Sequence, residues 1–160
     1  ADRRLLNARN HTAGHLLDTA MLRVGNTVAG TVLVPSKGYH FPDSPYVEYI
    51  GKLDPAKKEP LADALNKEVA ALIAGGLTVD THNGLTLAQA NALCGAGDPP
   101  AGADLEDTTW RVVGIGEAVC MCGGTHLANT AEIGGMSITK VQNKGKNTRV
   151  YYALAASADP

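Results

Sequence analysis

Two pairs of potential metal ligands, about a hundred residues apart, constrain the fold more than any other feature of the sequence. His11 and His15 are four residues apart, and so are Cys122 and His126. On a helix, residues four apart share a face, with about 5–6 Å between their Cβ atoms. Two such imidazoles can therefore converge on a single ion. If both pairs bind the same ion, the fold must bring an opening helix against the segment around residue 122.

The second pair lies in residues 122–126 (CGGTH), where two glycines separate a thiol from an imidazole. Glycine lets the backbone turn tightly and approach a neighbour closely. Each pair alone also has an ordinary interpretation, as exposed or core histidines and as a tight turn with a buried thiol. Cys120 is an alternative ligand, but the spacing to His126 favours Cys122. A thiolate with three imidazoles is a familiar zinc set without redox chemistry. The sequence thus predicts one zinc ion per chain, on His11, His15, Cys122 and His126.

Composition restricts the class of protein further. The chain has 160 residues, 44% of them hydrophobic and 19% charged, which is typical of one globular domain. Its net charge of -2 argues against binding nucleic acid through overall positive charge and leaves room for a local basic patch. No apolar run suits a membrane span and no secretory signal is evident. Three cysteines in such a chain indicate thiols or metal ligands in a reducing compartment, and we expect the cytoplasm.

Periodicity predicts two main helices. Apolar residues at helical spacing predict an amphipathic helix over residues 5–24, ended by Gly25. Asp54 and Pro55 are an N-cap and a first-turn proline, and they open a second helix that reaches about residue 74. Residues 28–34 predict a short strand, and a turn-rich stretch follows over residues 35–43.

Alternation of apolar and polar residues predicts the remaining strands. They are expected over residues 46–50, 77–82, 110–115, 135–141 and 148–154, with a short helix over residues 86–93 and a surface loop over residues 95–107. This order of elements predicts an α+β fold with two layers, a mostly antiparallel sheet carrying helices on one face.

The chain resembles the alanyl-tRNA editing family, which comprises free-standing AlaX-type proteins and the editing domain of alanyl-tRNA synthetase. The resemblance is carried by residues 11–17 (HTAGHLL), 122–126 (CGGTH), 130–134 (TAEIG) and 144–152 (KGKNTRVYY). In addition, residues 37–43 (KGYHFPD) and the YVEY segment that follows are similar to the eukaryotic AlaX-like subgroup. The matches run from residue 11 to about residue 154 in the expected order.

The resemblance implies a zinc-containing editing domain over residues 1–157, of the type found in threonyl- and alanyl-tRNA synthetases. Only ten residues precede His11, so we expect either a short form, in which the β-rich N-terminal domain of larger members is absent, or a sequence that begins partway through the protein. The implied activity is hydrolysis of serine, with glycine as a second candidate, from mischarged tRNA for alanine. Such an activity is needed because an apolar pocket rejects an added hydroxyl only about 10²-fold. Mischarged tRNA is then the partner, and alanyl-tRNA synthetase is a further candidate partner.

Roles within the site follow from the same resemblance. If all four ligands bind zinc, the ion organises the pocket; if one ligand is released, His11 or His126 can act as a general base. Thr125 is a candidate catalytic residue, although satisfying the turn would explain it equally well. Candidate substrate-binding residues are Ser36, Lys37, Gly38, Tyr39, His40, Gly123 and Gly124.

A basic cluster near the C-terminal end is the candidate tRNA-binding surface. Residues 133–158 contain no acidic side chain, so their basic side chains can hold phosphates of an acceptor stem. A solvated hairpin without a ligand is the ordinary interpretation of such a run. Six of the seven aromatic residues also fall in two segments, where packing between strands is expected and stacking on a terminal adenine is the alternative. The candidate tRNA-binding residues are Lys140, Lys144, Lys146 and Arg149.

Three other functions fit part of the pattern. A non-catalytic zinc module could bind tRNA or a synthetase. An enzyme of the S-ribosylhomocysteine lyase group would also pair histidines with a cysteine, but this chain has Gly14 where that group needs an acid between the histidines. The editing domain of threonyl-tRNA synthetase shares the fold and part of the motifs.

Overall fold

A computed structural model describes residues 2–156 of the chain. The helices are α1 (Asp2–Ala20), α2 (Asn26–Ala29), α3 (Lys58–Gly75) and α4 (Leu87–Cys94). The strands are β1 (Val34–Tyr39), β2 (Tyr46–Ile50), β3 (Val79–Leu85), β4 (Trp110–Ile115), β5 (Ala118–Met121), β6 (Met136–Lys144) and β7 (Asn147–Leu154). Among these residues, no helix is both long and apolar enough to cross a membrane.

The strands form two antiparallel sheets, which are covered by helices. One sheet has the order β1-β2-β7-β6 and the other β3-β4-β5, and all pairings are antiparallel. Buried residues of α1 and α3, such as Leu16 and Leu65, share a core with Tyr49 of β2 and Val150 of β7. The predicted α+β fold, with antiparallel strands and helices packed against them, is confirmed.

The prediction that the first helix ends at Gly25 is wrong. A π-helical turn, Met21–Gly25, continues α1 directly into α2, and the helix ends at Gly30, which has a φ of 71°. Gly25 is buried, and a Cβ there would overlap the sulfur of Met21 and approach Leu65 of α3 to 3.2 Å. The glycine therefore serves close helix packing, while Gly30 takes the left-handed conformation that ends a helix. The strand predicted over residues 28–34 is also wrong, because the helix continues to Ala29 and β1 begins only at Val34.

The turn-rich stretch over residues 35–43 was also predicted wrongly in part, because most of it forms β1. This strand pairs with β2 and has an irregularity between Pro35 and Lys37. β1 is an edge strand, where a proline removes no hydrogen bond that a second neighbour would need. Turn-forming residues therefore do not exclude a strand at this position.

No strand was predicted at β5, and the other elements agree with the sequence analysis within a few residues. Asp54 accepts a hydrogen bond from the amide of Ala56 and so caps a 3₁₀ turn, Pro55–Lys57, which leads directly into α3. Thr86 caps α4 through a capping box with Gln89. Residues 95–107 form neither helix nor strand, and the β6–β7 hairpin turns at Gly145.

The segment after β5 returns to the helical layer and is anchored there. The amide of Val79 donates to the carbonyl of Ala128, and the amide of Thr130 donates to the carbonyl of Leu77. The amide of Leu127 donates to the Thr12 hydroxyl of α1. These bonds hold residues 122–126 against the first helix.

We predict that Thr130→Val destabilises the protein by about 1–3 kcal/mol. The buried Thr130 hydroxyl donates to the carbonyl of Leu72 and accepts from the amide of Leu77, each at 2.9 Å. Valine keeps the shape but leaves both backbone groups without this partner. Urea unfolding measures the difference, and Thr139→Val, on an exposed position of β6, is the control. Equal losses for both variants would contradict the prediction.

Candidate metal centre

Four side chains from opposite ends of the chain converge on one point. Nε2 of His15 lies 3.2 Å from Nε2 of His11. Sγ of Cys122 lies 3.2 Å from Nε2 of His11 and 3.3 Å from Nε2 of His126. The four possible ligand atoms all lie within 4.8 Å of one another. The structure thus brings together the two pairs, one from α1 and one from the segment after β5.

This arrangement can hold a metal ion. A tetrahedral site with metal–ligand distances of about 2.0–2.3 Å has edges of about 3.3–3.6 Å, and the three separations given above approach these values. Three nitrogens and one sulfur, with no carboxylate among them, suit a borderline-soft divalent ion. The donor set and the geometry therefore fit one tetrahedral ion.

The second nitrogen of each imidazole has its own partner. Nδ1 of His15 lies 3.2 Å from Sγ of Cys120, and Nδ1 of His126 lies 3.2 Å from the Thr12 hydroxyl. The ring of His11 makes a hydrogen bond with the backbone of Thr125. Such outer partners fix ring orientation at metal sites. Cys120, the alternative ligand considered from the sequence, occupies this outer layer.

The three imidazoles are neutral at pH 7 and so keep a lone pair for a cation. Burial lowers the pKa of His15 to about 2 and that of His126 to about 3, and it also lowers the pKa of His11. Burial raises the pKa of Cys120 to about 12, which keeps that thiol protonated.

Local backbone chemistry positions the loop over the helix. A Cβ on Gly124 would overlap the ring of His11, so this position requires glycine. Arg111 of β4 holds the same loop, because its guanidinium donates to the carbonyl of Gly124 and, at 3.4 Å, to that of Cys122. Gly123, in contrast, has open space around it.

His40 is a fifth group at the site, in a defined tautomer. The Tyr152 hydroxyl donates its only hydrogen to the carbonyl of Asn10 at 2.7 Å. It must therefore accept from Nδ1 of His40, 2.9 Å away. Burial lowers the pKa of His40 to about 4, so the ring is neutral at pH 7 and Nε2 carries a lone pair. Among residues 2–156, no side chain or backbone group bonds to that Nε2.

Two clefts give access to this cluster. One, of about 240 Å³, is lined by Asn7, His11, Gly38, His40 and Phe41. The other, of about 380 Å³, is lined by Arg4, Asn7, His11 and Thr125. His11 is common to both clefts, so a molecule in either one would touch the metal centre.

The remaining sequence candidates lie at various distances from this centre. Gly38 and His40 reach it, and the side chain of Thr125 lines the second cleft. Ser36 instead donates to the carbonyl of Glu48, and Lys37 pairs with the Glu48 carboxylate at 3.5 Å. The Tyr39 hydroxyl is exposed and donates to Asp43.

The basic candidates lie on the β6–β7 hairpin. Arg149 is less free than the sequence suggests, because Glu48 of β2 accepts from its Nε at 2.8 Å. Lys140 lies over the ring of Tyr151, and Lys144 and Lys146 are exposed beside the turn.

Sequence reasoning missed several residues at the site, among them Thr12, Asn7 and Arg4. Thr12 lies between the two histidines, but its partner His126 is 114 residues away. No spacing rule links Thr12 to His126, although a hydroxyl between the two histidines of the helix could have indicated a residue that contacts the site. Asn7, one turn before His11, was visible only as a helical neighbour.

A separate cavity of about 410 Å³ lies behind His15, with mostly apolar walls and the carboxyl of Asp18. Oδ1 of Asp18 accepts a hydrogen bond from the Tyr49 hydroxyl at 2.8 Å. Burial raises the pKa of Asp18 to about 7, against the opposing effect of this hydrogen bond.

Comparisons with known proteins agree with this geometry. Residues 110–151 match the family described as the threonyl and alanyl tRNA synthetase second additional domain. The chain is 51% identical over 55 residues to the alanyl-tRNA editing protein AlaX-M of Methanosarcina mazei, covering 33% of this chain and 22% of that protein. It is 32% identical over 157 residues to an alanine–tRNA ligase of Shouchella clausii, covering 96% of this chain and 16% of the ligase. The matched region is thus about a fifth or less of the length of these relatives.

We predict that Cys122→Ala loses the bound ion, whereas Cys120→Ala retains it with an affinity reduced about 10–100-fold. The first variant removes an atom from the inner cluster, and the second removes only the partner of His15. Titration of each purified variant with Zn²⁺ measures its affinity for the ion. The parent protein should bind one ion per chain. Equal affinities in the two variants would contradict the assignment of inner and outer positions.

We also predict that Asp18→Asn becomes progressively more stable than the parent protein as pH rises from 4 to 7. The pKa of Asp18 is about 7 in the folded protein, compared with an ordinary value of 3.8. Between these pH values the carboxyl is therefore protonated in the folded state and ionised in the unfolded state. The stabilising effect of this proton is therefore present at low pH and is lost as pH rises through 7, by up to about 4 kcal/mol. Asparagine keeps the acceptor for Tyr49 without the titration. Urea unfolding of both proteins at pH 5 and pH 8 measures the difference in their free energies of unfolding. A difference that is the same at both pH values would contradict the prediction.

Proposed function

Since this chain belongs to the alanyl-tRNA editing family, we propose that it is a zinc-dependent deacylase that removes wrongly attached serine, and secondarily glycine, from tRNA for alanine. The observation that carries the proposal is the convergence of His11, His15, Cys122 and His126 beside two open clefts. Residues 1–157 then make up one editing domain, acting in the cytoplasm, with alanyl-tRNA synthetase as a candidate partner.

Zinc is the ion that best suits this donor set. Imidazole and thiolate ligands in tetrahedral geometry favour Zn²⁺ over Mg²⁺ or Ca²⁺, which prefer oxygen. When bound, zinc supplies a Lewis acid that can polarise an ester carbonyl or lower the pKa of a water molecule.

The protein's own groups would orient the ester. A substrate in the cleft of about 380 Å³ lies against His11 and Thr125, and the Thr125 hydroxyl can bond to it. The backbone amides of Gly123 and Gly124 are candidates to stabilise the negative charge that develops on the carbonyl oxygen. Arg111 holds this loop in place by donating to the carbonyl of Gly124.

The exchangeable ligand, where one is needed, is assigned to His11. Its ring lines both clefts, so among the residues that would hold the ion it is the one that a substrate in either cleft would contact. His126 is less suited to leave, because Thr12 holds its second nitrogen and also anchors the following residue, Leu127. His11 once released would be the general base within reach of the ester.

Preference for serine over alanine requires a hydrogen-bond acceptor for the serine hydroxyl. Nε2 of His40 is such an acceptor, and its ring centroid lies 5.0 Å from that of His11. An alanine ester leaves this nitrogen without its bond, which costs free energy in a partly buried site. His40 is therefore our candidate for sensing the hydroxyl, and Gly14 and Gly38 leave the space its ring occupies.

We predict that the protein releases serine from mischarged tRNA for alanine at least about tenfold faster than it releases alanine. Glycine should also be released more slowly than serine, because its ester lacks the hydroxyl that His40 would bind. Loss of radiolabelled amino acid from each tRNA measures the three rates.

Removal of the ion with a chelator should abolish release, and added Zn²⁺ should restore it. His82→Ala, on an exposed position of β3, is the matched histidine control and should keep the parent activity. Zinc and tRNA binding without loss of any ester would instead identify a non-catalytic binding module.

A further inference from the structure

The four-stranded sheet has one face covered by helices and one face without a partner in residues 2–156. Val47, Tyr49, Val150 and Tyr152 point into the core and are buried. The alternate residues of β2 and β7 point to the opposite face, because successive side chains in a strand alternate. We call this opposite side the outer face.

A row of aromatic rings crosses the outer face. Tyr39 of β1 is opposite Tyr46 of β2, which is opposite Tyr151 of β7, which is opposite Lys140 of β6. The ring centroids of Tyr39 and Tyr46 are 5.7 Å apart, and those of Tyr46 and Tyr151 are 5.2 Å apart. One register row thus carries three tyrosines and a lysine across all four strands.

The row begins at the metal centre. Phe41, whose ring centroid is 5.1 Å from that of Tyr39, lines the same cleft as His11 and His40. Its side chain is 59% exposed. Ring contacts therefore connect the cleft with Tyr151 of β7, the strand next to the far edge of the sheet. We call Phe41, Tyr39, Tyr46 and Tyr151 the aromatic track.

Basic groups accompany the aromatic track. The guanidinium of Arg149 lies 4.4 Å from the ring centroid of Tyr46, and the ammonium of Lys140 lies 5.5 Å from that of Tyr151. Lys37 and Arg149 flank Glu48 in the neighbouring register row and offset its charge. Asp43, bonded to the Tyr39 hydroxyl, is the remaining acidic group near the track. The outer face therefore carries a local excess of positive charge on a chain whose net charge is -2.

Aromatic residues are concentrated on this surface. Only 4% of the chain is aromatic, yet three half-buried tyrosines lie on the outer face and the exposed Phe41 lies at the end of their row. Successive aromatic rings with accompanying cations are the features by which proteins bind single-stranded nucleic acid, since bases stack on the rings and phosphates approach the cations.

We propose that the aromatic track binds the unpaired 3′ end of an RNA and guides its terminal ester into the cleft beside His11 and His40. The terminal nucleotide stacks near Phe41, and preceding nucleotides lie over Tyr46 and Tyr151 with phosphates toward Lys140 and Arg149. The proposal rests on the proposed function for the identity of the ester, but the binding step is testable without it.

The first experiment measures binding of a fluorescently labelled RNA hairpin that ends in an unpaired ACCA and carries no amino acid. Two double variants separate ring stacking from folding. Tyr46→Phe with Tyr151→Phe keeps both rings, and Tyr46→Leu with Tyr151→Leu keeps apolar bulk without them. We expect the leucine pair to weaken binding about tenfold or more and the phenylalanine pair to retain it. A blunt hairpin without the overhang should bind the parent protein weakly.

A second experiment separates this proposal from the deacylase proposal. Serine esterified to adenosine alone reaches the metal centre without touching the far part of the aromatic track, so the parent and the leucine pair should hydrolyse it equally. The seryl-tRNA substrate should show a raised KM in the leucine pair with kcat little changed. Failure of the parent on both esters would remove the deacylase proposal while leaving the binding result valid.

Two outcomes would overturn the proposal that the aromatic track binds RNA. One is equal binding of the ACCA hairpin by the parent and the leucine pair. The other is a dimer of the parent protein in sedimentation that the leucine pair dissociates, because the outer face would then be covered by a second copy of the chain.

Discussion

The convergence of two distant ligand pairs is the constraint on which the rest of the structure depends. Residues 122–126 reach α1 only because the chain after β5 turns back and is bonded to the end of α3 and the start of β3. Thr12 joins both parts, since its hydroxyl accepts from Leu127 and contacts His126. Sγ of Cys122 and the Nε2 atoms of the three histidines lie 3.2–3.3 Å from a neighbouring ligand atom, close enough for one cation to bind all four. A cation held by both pairs would join the two distant segments, so binding of the ion would stabilise the fold.

Sequence patterns specified the elements well where a local rule determines the structure. The Asp54 cap, the alternation in β2 and the loop over residues 95–107 follow from short-range chemistry. The pattern failed at Gly25, because a glycine can serve tertiary packing as well as a helix end, and only the position of Leu65 distinguishes the two. It failed again at β1, whose strand character comes from pairing with β2 rather than from its own residues.

The candidate site shows the same division. Spacing of four within each pair identified the inner cluster, because both pairs are local motifs. The outer partners depend on contacts between residues more than a hundred positions apart, as with Thr12 and His126 or Cys120 and His15. His40 was one of several candidates in residues 36–40, and nothing in that stretch distinguishes it. The distinction comes from Tyr152 and Asn10, which fix its tautomer, and from two glycines that leave room for its ring.

The end of β1 connects the two surfaces that the proposed chemistry requires. Tyr39 points to the outer face and His40 folds back between Gly14 and Gly38, so adjacent residues serve opposite sides of the sheet. An RNA end stacked on Tyr39 and Phe41 would therefore press on the same short segment that positions Nε2 of His40. Correct seating of the terminal nucleotide and correct placement of the hydroxyl acceptor become one conformational requirement. A substrate that carries serine but lacks the preceding nucleotides would then lose affinity, because fewer rings contact it, without losing discrimination between serine and alanine.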